Sequence, residues 1–368
     1  MSRIRDFVKR EVTLCVAFVA ALISCFFVTP DREYFGYIDL RTLALLFCLM
    51  VVVAGLRGAG VFSALAHRMC EQAGSLRTIC MLMVGLCFFS SMLITNDVAL
   101  LTFVPFAIVV LGMAQRTGEL IRVVILQTVA ANLGSILTPV GNPQNLYLYS
   151  AYQMSIADFF AATAPVWLVS LLLIAVACFF FPRTKIDVFL GEKPDMNRRS
   201  LAVYALLFGV CMLVVFRVID WPWMLLTVTA VLAFYDRRIL LQADFMLLLT
   251  FVCFFVFAGN LTRIDAVRTF FGGILSGHEL IAGAAVSQFI SNVPAALLLS
   301  GFTENGKALL LGVDIGGLGT PIASLASLIS LKLYMHAEDA DAKRFLAGFT
   351  LVNVLFLAVL LAVGLLLI

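Results

Sequence analysis

The chain has 368 residues, 62% hydrophobic and 13% charged, with a mean hydropathy of +1.07. A soluble domain carries about 45–50% apolar and about 25% charged residues, so these values exclude an ordinary soluble globule and point to a polytopic, all-α integral membrane protein. The formal net charge of +3 and the lack of a basic run give no footing for nucleic acid and leave the lipid bilayer as the surrounding medium.

The opening MSRIRDFVKR and the apolar run behind it have the shape of a signal peptide. No small-residue cleavage site follows before Thr29-Pro30-Asp31-Arg32, so a retained first span over 12–28 is expected. Further spans are expected at 38–56, 156–181, 201–218, 222–235, 243–260 and 346–368. Two helices read as broken, at 118–152 and 308–334, and two apolar stretches, 78–113 and 279–303, are folded at the middle by short polar motifs. The arms of the second stretch, 279–290 and 294–303, reach only about 15–18 Å at ~1.5 Å per residue, against a hydrocarbon core of ~30 Å. They read as a re-entrant hairpin. The first stretch, with arms of about 16 residues, reads the same way. The expected fold has about nine spanning helices, two of them broken, plus two re-entrant hairpins.

Nine cysteines fall almost entirely inside apolar runs with no CxxC, and the three histidines are never paired. They read as small buried hydrophobes and offer no zinc or haem framework. Placing the amino terminus inside puts nineteen Lys and Arg on the inner side and six, Arg32, Arg41, Arg217, Arg263, Arg268 and Lys307, on the outer side. On this map the first hairpin opens inward and the second outward. The charged stretch 181–199 divides the chain near its middle. The expected organisation is a first inverted repeat over 1–181, a cytoplasmic linker and connecting helix over 182–218, and a second inverted repeat over 219–368.

The repeat is carried by two motif pairs. Ser91-Met92-Leu93-Ile94-Thr95-Asn96 and Ser287-Gln288-Phe289-Ile290-Ser291-Asn292 both read Ser-x-x-x-[Ser/Thr]-Asn. Downstream, NLGSILTPVGNPQN (132–145) matches DIGGLGTPIASLAS (314–327) without gaps. This pairs Asn132 with Asp314, Gly134 with Gly316, Thr138-Pro139 with Thr320-Pro321, Asn142 with Ser324 and Asn145 with Ser327. Any one motif would only kink an ordinary span; four in register are the mark of an inverted-repeat secondary transporter, whose site lies near the midplane among discontinuous helices. Thr95 and Ser291 are expected to cap the arms that follow them. Such helix starts hold anions, while unwound backbone at Gly134, Gly141, Gly316, Gly317 and Gly319, together with the hydroxyl of Ser135 and the other side-chain oxygens of the motifs, offers oxygen ligands to a cation.

With TNDVALLTFVPF, LGSILTPVGNPQN and SQFISNVPAALLL on the page, the sequence resembles the ion transporter superfamily, and most of all its bacterial citrate-transporter-like branch. The resemblance covers roughly 38–335. It implies a scaffold, a mobile part holding both hairpins and both broken helices, elevator-like alternating access, a homodimer and a bacterial plasma-membrane location. In the group's dicarboxylate symporters the tips carry Ser-Asn-Thr and bind carboxylate and Na⁺. By position, Na⁺ is expected at Ser91, Thr95 and Asn96 and at Ser287, Ser291 and Asn292. The tips here, Thr95-Asn96-Asp97 and Ser291-Asn292-Val293, depart from that pattern at the third place.

A carboxylate inside an apolar segment is costly and marks function by default. Asp97 is therefore expected to bind or carry the coupling ion, H⁺ or Na⁺, the alternative being a carboxylate that bonds the free N–H groups of its own arm. Asp314 is the weaker candidate on the other side. The expected function is transport of a small anion, with a carboxylate foremost, coupled to Na⁺ or H⁺. The alternatives are a cation/H⁺ antiporter centred on Asp97 and an arsenite-type permease. No cofactor is expected. Nothing repeats as a pore ring, and no His, Cys or carboxylate cluster offers a nucleophile with its base, which argues against a channel and an enzyme.

Overall fold

Long apolar runs broken by Gly, Pro and Ser dictate helices of unequal length, because inside a bilayer every backbone N–H must be bonded within its own segment. A computed structural model describes residues 7, 11–71, 73–185, 195–337 and 340–368. Most of the charged linker lies outside these residues. The helices run in chain order α1 (Val12–Phe27), a single turn α2 (Tyr34–Tyr37), α3 (Leu40–Gly58), α4 (Val61–Glu71), α5 (Leu76–Ile94), α6 (Asn96–Met113), α7 (Leu120–Gly134), α8 (Pro143–Ala151) and α9 (Ile156–Phe179). They continue as α10 (Arg198–Val215), α11 (Trp221–Tyr235), α12 (Phe245–Thr262), α13 (Asp265–Leu275), α14 (Glu279–Ile290), α15 (Asn292–Leu299), α16 (Gly306–Ile315), α17 (Leu325–Tyr334) and α18 (Ala342–Leu367). Among the described residues eight helices are long and apolar enough to cross a membrane, so the chain is an all-α polytopic membrane protein.

The helix starts are set by local chemistry. Asp39, Ser75, Asn142, Ser155, Asn197, Asp244, Asn305 and Asp341 each accept a hydrogen bond from a backbone N–H in the first turn of the helix that follows, satisfying a group the helix leaves unpaired. The two broken helices are α7 and α8, interrupted at 138–142, and α16 and α17, interrupted at 316–324.

The hairpins differ. The arms α14 and α15 have 12 and 8 residues, close to expectation, and α13 meets α14 at a bend of 113°. The arms α5 and α6 have 19 and 18 residues, longer than the sequence suggested. Each is about 28 Å long, enough to cross a bilayer. Their tip nevertheless meets the break of the first broken helix, where the Asn96 N–H donates to the Gly141 carbonyl at 3.2 Å. The extra length comes from the Ser75 cap, which starts α5 two residues before the apolar run becomes obvious.

Contacts between helix ends sort into two faces. Asp31 pairs with Arg263, Arg41 donates to the Val214 carbonyl, Arg217 to the Tyr149 and Gln153 carbonyls, and Lys307 pairs with Asp158. At the other ends, Arg77 donates to the Phe181 carbonyl, the Leu76 N–H to Thr184 and the Asn197 N–H to Ala59. Among these bonds none joins one face to the other. The Arg263 hydrogen bond holds the exposed Asp31 carboxyl below its usual range.

Two hydrophobic clusters fill the interior. One gathers α5, α6, α7, α9 and α18; the other gathers α1, α3, α8, α10, α11, α12 and α15. The first break lies on their seam, with Ile136 in one cluster and Val140 in the other. Residues 139–142 of that break are buried all the same.

Candidate functional site

Positions matched between the two halves make matched contacts. The Asn96 N–H donates to Gly141, and the Asn292 N–H donates to Ala323 at 2.9 Å, the residue matched to Gly141. The Thr138 hydroxyl donates to the Met92 carbonyl, and the Thr320 hydroxyl to the Gln288 carbonyl at 3.0 Å, where Met92 and Gln288 are themselves matched. Gly134 lies against the Phe88 carbonyl and the Ser91 hydroxyl, and Gly316 against Ala284 and the Ser287 hydroxyl. Each hairpin tip is thus fastened to the break of its own half.

The tips depart from the expected capping. Thr95 and Ser291 occupy the cap positions, but neither side chain caps its arm. Their φ angles of 67° and 74°, with ψ near 152° and 154°, lie in a region essentially reserved for glycine, which turns the side chain away from the first turn. The next residue takes over: Asn96 Oδ1 accepts from the Asp97 N–H at 2.9 Å, and Asn292 Oδ1 from the Val293 N–H at 3.0 Å. The Ser291 hydroxyl makes only contacts of 3.4–3.5 Å. Ser291→Gly is therefore expected to raise stability by about 1 kcal/mol, the relieved strain exceeding the added chain entropy. Thermal unfolding in detergent checks this, and a fall in midpoint would show that the strained backbone carries no such cost.

Between the breaks sits a polar core. Asn132 Oδ1 accepts from Asn96 Nδ2 and from the Ser324 hydroxyl, both at 3.0 Å, and Asn132 Nδ2 donates to the Gly317 carbonyl at 3.4 Å. One side chain on α7 thereby joins the first tip to the second break. At the matched position Asp314 is 2% exposed; its Oδ1 accepts from Gln144 Nε2 at 3.2 Å and Asn142 Nδ2 at 3.5 Å, and its Oδ2 has no partner among the described residues. Asn142 Nδ2 also donates to the Ser135 hydroxyl, and Asn145 Nδ2 spans the carbonyls of Ser135, Ile136 and Thr138. Pro139 and Pro321 lie in the unwound stretches. Ser327, matched to Asn145, is buried with a hydroxyl that makes no hydrogen bond among the described residues. Gly319, at φ 102°, leaves room for the Gln288 amide.

A cavity of about 280 Å³ opens beside the first tip. Its polar lining is Thr95, Asp97 and Asn142 with Arg57 from the end of α3, Gln242 and Asp244, set among apolar side chains. No hydrogen bond reaches the Asp97 carboxylate among the described residues, and its buried Oδ1 is unpartnered, so it does not serve as a helix cap. The second tip, Ser291-Asn292, is not among the lining residues; it is packed on Ala323. Of the oxygens expected to hold Na⁺, the Ser91 and Ser287 hydroxyls donate to the Phe88 and Gly283 carbonyls and keep lone pairs free. The two sets lie on separate tips.

A model of the citrate transporter family matches residues 4–305. The chain belongs to the citrate transporter family. It is a membrane transporter. It is 32% identical over 348 residues to the uncharacterized transporter MJ0456 of Methanocaldococcus jannaschii, covering 94% of each chain. It is 31% identical over 317 residues to the inner membrane protein YbiR of Escherichia coli, covering 84% of each. It is 30% identical to the silicon efflux transporter LSI3 of Oryza sativa subsp. japonica over 149 residues, 40% of this chain and 30% of that protein.

In this citrate transporter family chain, five polar side chains around the site, Arg57, Gln144, Gln242, Asp244 and Gln288, escaped sequence reasoning. Arg57 reads as an inner-loop cation and Asp244 carried no reading; only the folded chain, in which Asp244 caps α12, brings them to the cavity that Asp97 lines. Gln144 and Gln288 occupy unassigned places inside the motifs, yet Gln144 bonds Asp314, and Gln288 Nε2 bonds the Gly316 and Leu318 carbonyls at 2.9 and 3.0 Å. An amide among Gly and Ser in an apolar run was the available signal.

Proposed function

We propose that the protein is a cation-coupled secondary transporter of a small anion, with a carboxylate as the expected class, moved by alternating access at the Asp97 cavity. The observation that supports this reading is the charge of that cavity. It holds two carboxylates, Asp97 and Asp244, and one cation, Arg57. Arg57 can pair with an incoming carboxylate. The surplus negative charge opposes the same solute unless a cation or proton arrives with it, because like charges in a low-dielectric site repel strongly. Coupling then follows from electrostatics: the ion neutralises Asp97, and the anion binds the neutralised site. The amino terminus lies on the cytoplasmic side of a bacterial plasma membrane in this reading, in keeping with the Lys and Arg bias and with the inner-membrane relative.

A second reading, cation/H⁺ exchange at Asp97, is favoured by the same surplus carboxylate and by the second tip lying outside the cavity. The experiment separates the two. The protein is placed in liposomes holding a pH dye, and Na⁺ is pulsed with and without a panel of carboxylates. Proton movement that needs an added carboxylate is the expected result. Proton movement driven by Na⁺ alone would make the protein an antiporter and overturn the anion reading.

A further inference from the structure

We infer that the groove between α7, α9 and α18 holds one molecule of an anionic phospholipid, with its phosphate at Arg122 and Arg344 and an acyl chain along the apolar floor. The inference is independent of the proposed solute and coupling ion.

The sequence places a basic residue in the first turn of two of these helices, Arg122 on α7 and Arg344 on α18, and apolar residues at helical spacing behind each. On α18 the stripe is Arg344, Gly348, Leu351, Val352 and Leu355, all lining a groove of about 790 Å³. Gly348 brings α18 close to α7, since a methyl group there would meet Ile125 Cδ1 at 3.2 Å. The last residues of α9 and the phenylalanines that follow it close the third side. From Arg344 to Leu355 the stripe is about 17 Å long at ~1.5 Å per residue, roughly one leaflet of a ~30 Å hydrocarbon core. The groove opens towards lipid: only 17% of the most apolar window of α18 and 28% of that of α9 are buried inside the protein.

Charge complementarity decides the class of lipid. Among the described residues the groove is lined by two guanidiniums and no carboxylate. Arg122 gives one N–H to Glu119 at 3.4 Å and its side chain stays 67% exposed, which leaves most of its donors for a phosphate. Arg77 and Arg183 lie over the ring of Phe179, the last residue of α9, at 4.8 and 5.7 Å, and add positive potential at the same helix ends. Basic pockets between spanning helices select anionic headgroups, whereas a zwitterionic headgroup brings a cation that these arginines repel.

A second cavity, of about 560 Å³, shares Gly118, Ile121 and Arg344 with the groove and adds the polar side chains of Thr117, Tyr334, His336 and Asp341. Asp341 is engaged as the cap of α18, its Oδ1 accepting the Arg344 N–H at 3.0 Å. A polar basin joined through an arginine to an apolar groove matches the two parts of a phospholipid, headgroup and chain. A free phosphate makes no use of the groove. A second copy of this chain fits less well. Two copies related by an axis along the membrane normal lie at one depth, so a face-to-face contact here gathers both pairs of guanidiniums at one level with no lining carboxylate against them.

The test uses the full chain in a neutral detergent, titrated with dioleoyl phosphatidylglycerol, dioleoyl phosphatidylcholine or glycerol phosphate, with bound molecules counted by native mass spectrometry. One phosphatidylglycerol per chain is expected, in preference to phosphatidylcholine, with no binding of glycerol phosphate. Arg122→Gln and Arg344→Gln are each expected to weaken phosphatidylglycerol about tenfold, the share of one charge-assisted hydrogen bond. Lys343→Gln removes the neighbouring charge, which does not line the groove, and is expected to change nothing. Leu351→Trp adds bulk inside the groove at a residue 63% exposed, so the core is untouched, and is expected to weaken the lipid while the unfolding midpoint stays in place. Binding that survives both arginine variants would overturn the site. An equal loss in Lys343→Gln would make the attraction a diffuse field of the helix ends and overturn it equally. Phosphatidylcholine held as tightly as phosphatidylglycerol would reduce the groove to ordinary solvation by the bilayer, and glycerol phosphate held as tightly as the lipid would make it a free-phosphate site; either result overturns the proposal. A dimer that Leu351→Trp splits, with lipid binding unchanged, would assign the groove to a second copy instead.

Discussion

Asp97→Asn is expected to abolish cation-driven accumulation while the protein remains folded. The substitution keeps the shape of the side chain and removes one of the two carboxylates that line the cavity with Arg57. Stability is little affected, because no hydrogen bond to the Asp97 side chain is lost and Oδ1 is already unpartnered. Coupling is affected strongly. A charged group's hydrogen bond or ion contact contributes about 1.5–3 kcal/mol, so cation affinity at the site falls by at least about tenfold. The anion meets the reverse: with one carboxylate gone, Arg57 and Asp244 balance, and the solute binds without its ion. Counterflow of solute between equal pools is therefore expected to survive while uphill accumulation disappears, and paired counterflow and gradient-driven assays on one preparation measure both. Retained uphill accumulation in Asp97→Asn would remove Asp97 from the coupling mechanism. Complete loss of counterflow would make Asp97 part of the solute site or of an exchange cycle.

Much of this arrangement was legible in the sequence, and the boundary of legibility has physical causes. Ser-x-x-x-[Ser/Thr]-Asn could be read twice because both tips need a short reversal followed by an amide that bonds the next N–H, and few residue types meet that need. The ungapped match of 132–145 to 314–327 could be read because both breaks need Gly where a helix passes a hairpin arm and Thr-Pro where it unwinds. Which residue of Thr95-Asn96 does the capping could not be read: either side chain bonds a first-turn N–H, and the choice was made by the positive φ of Thr95, a property of the folded turn. Arg57, Gln242 and Asp244 were out of reach for a different reason. They share a cavity with Asp97 only because α3 packs against α12 and the turn 239–242 before it, which brings these residues to the first tip. Polar residues at helix ends are ordinary, and nothing local marks three of them as lining one cavity.

The second large effect is expected at the glycines where each broken helix passes its hairpin. Gly134→Leu is expected to prevent accumulation of folded protein, and Gly134→Ala and Gly316→Ala to lower the unfolding midpoint. A methyl group on Gly134 would meet the Phe88 carbonyl and come within 2.6 Å of the Ser91 hydroxyl; on Gly316 it would meet Ala284 Cα at 2.7 Å and the Ser287 hydroxyl at 2.9 Å. Backbone atoms cannot swing aside as a flexible side chain does, so helix and arm must separate, at a cost of about 1–3 kcal/mol for the smallest addition and more for Leu. The separation also pulls on bonds that hold the tips, Asn96 to Gly141 in one half and Asn292 to Ala323 in the other. Transport is therefore expected to fall further than stability. Gly209→Ala on α10 is the control, since nothing lies within 4 Å of the added methyl there. The same chemical change should then cost nothing, because Ala is the better helix former. Equal losses at Gly209 and Gly134 would mean that close helix crossings do not hold the two tips in place. Loss confined to Gly134 and Gly316 would tie the geometry of both tips to the helix crossings behind them.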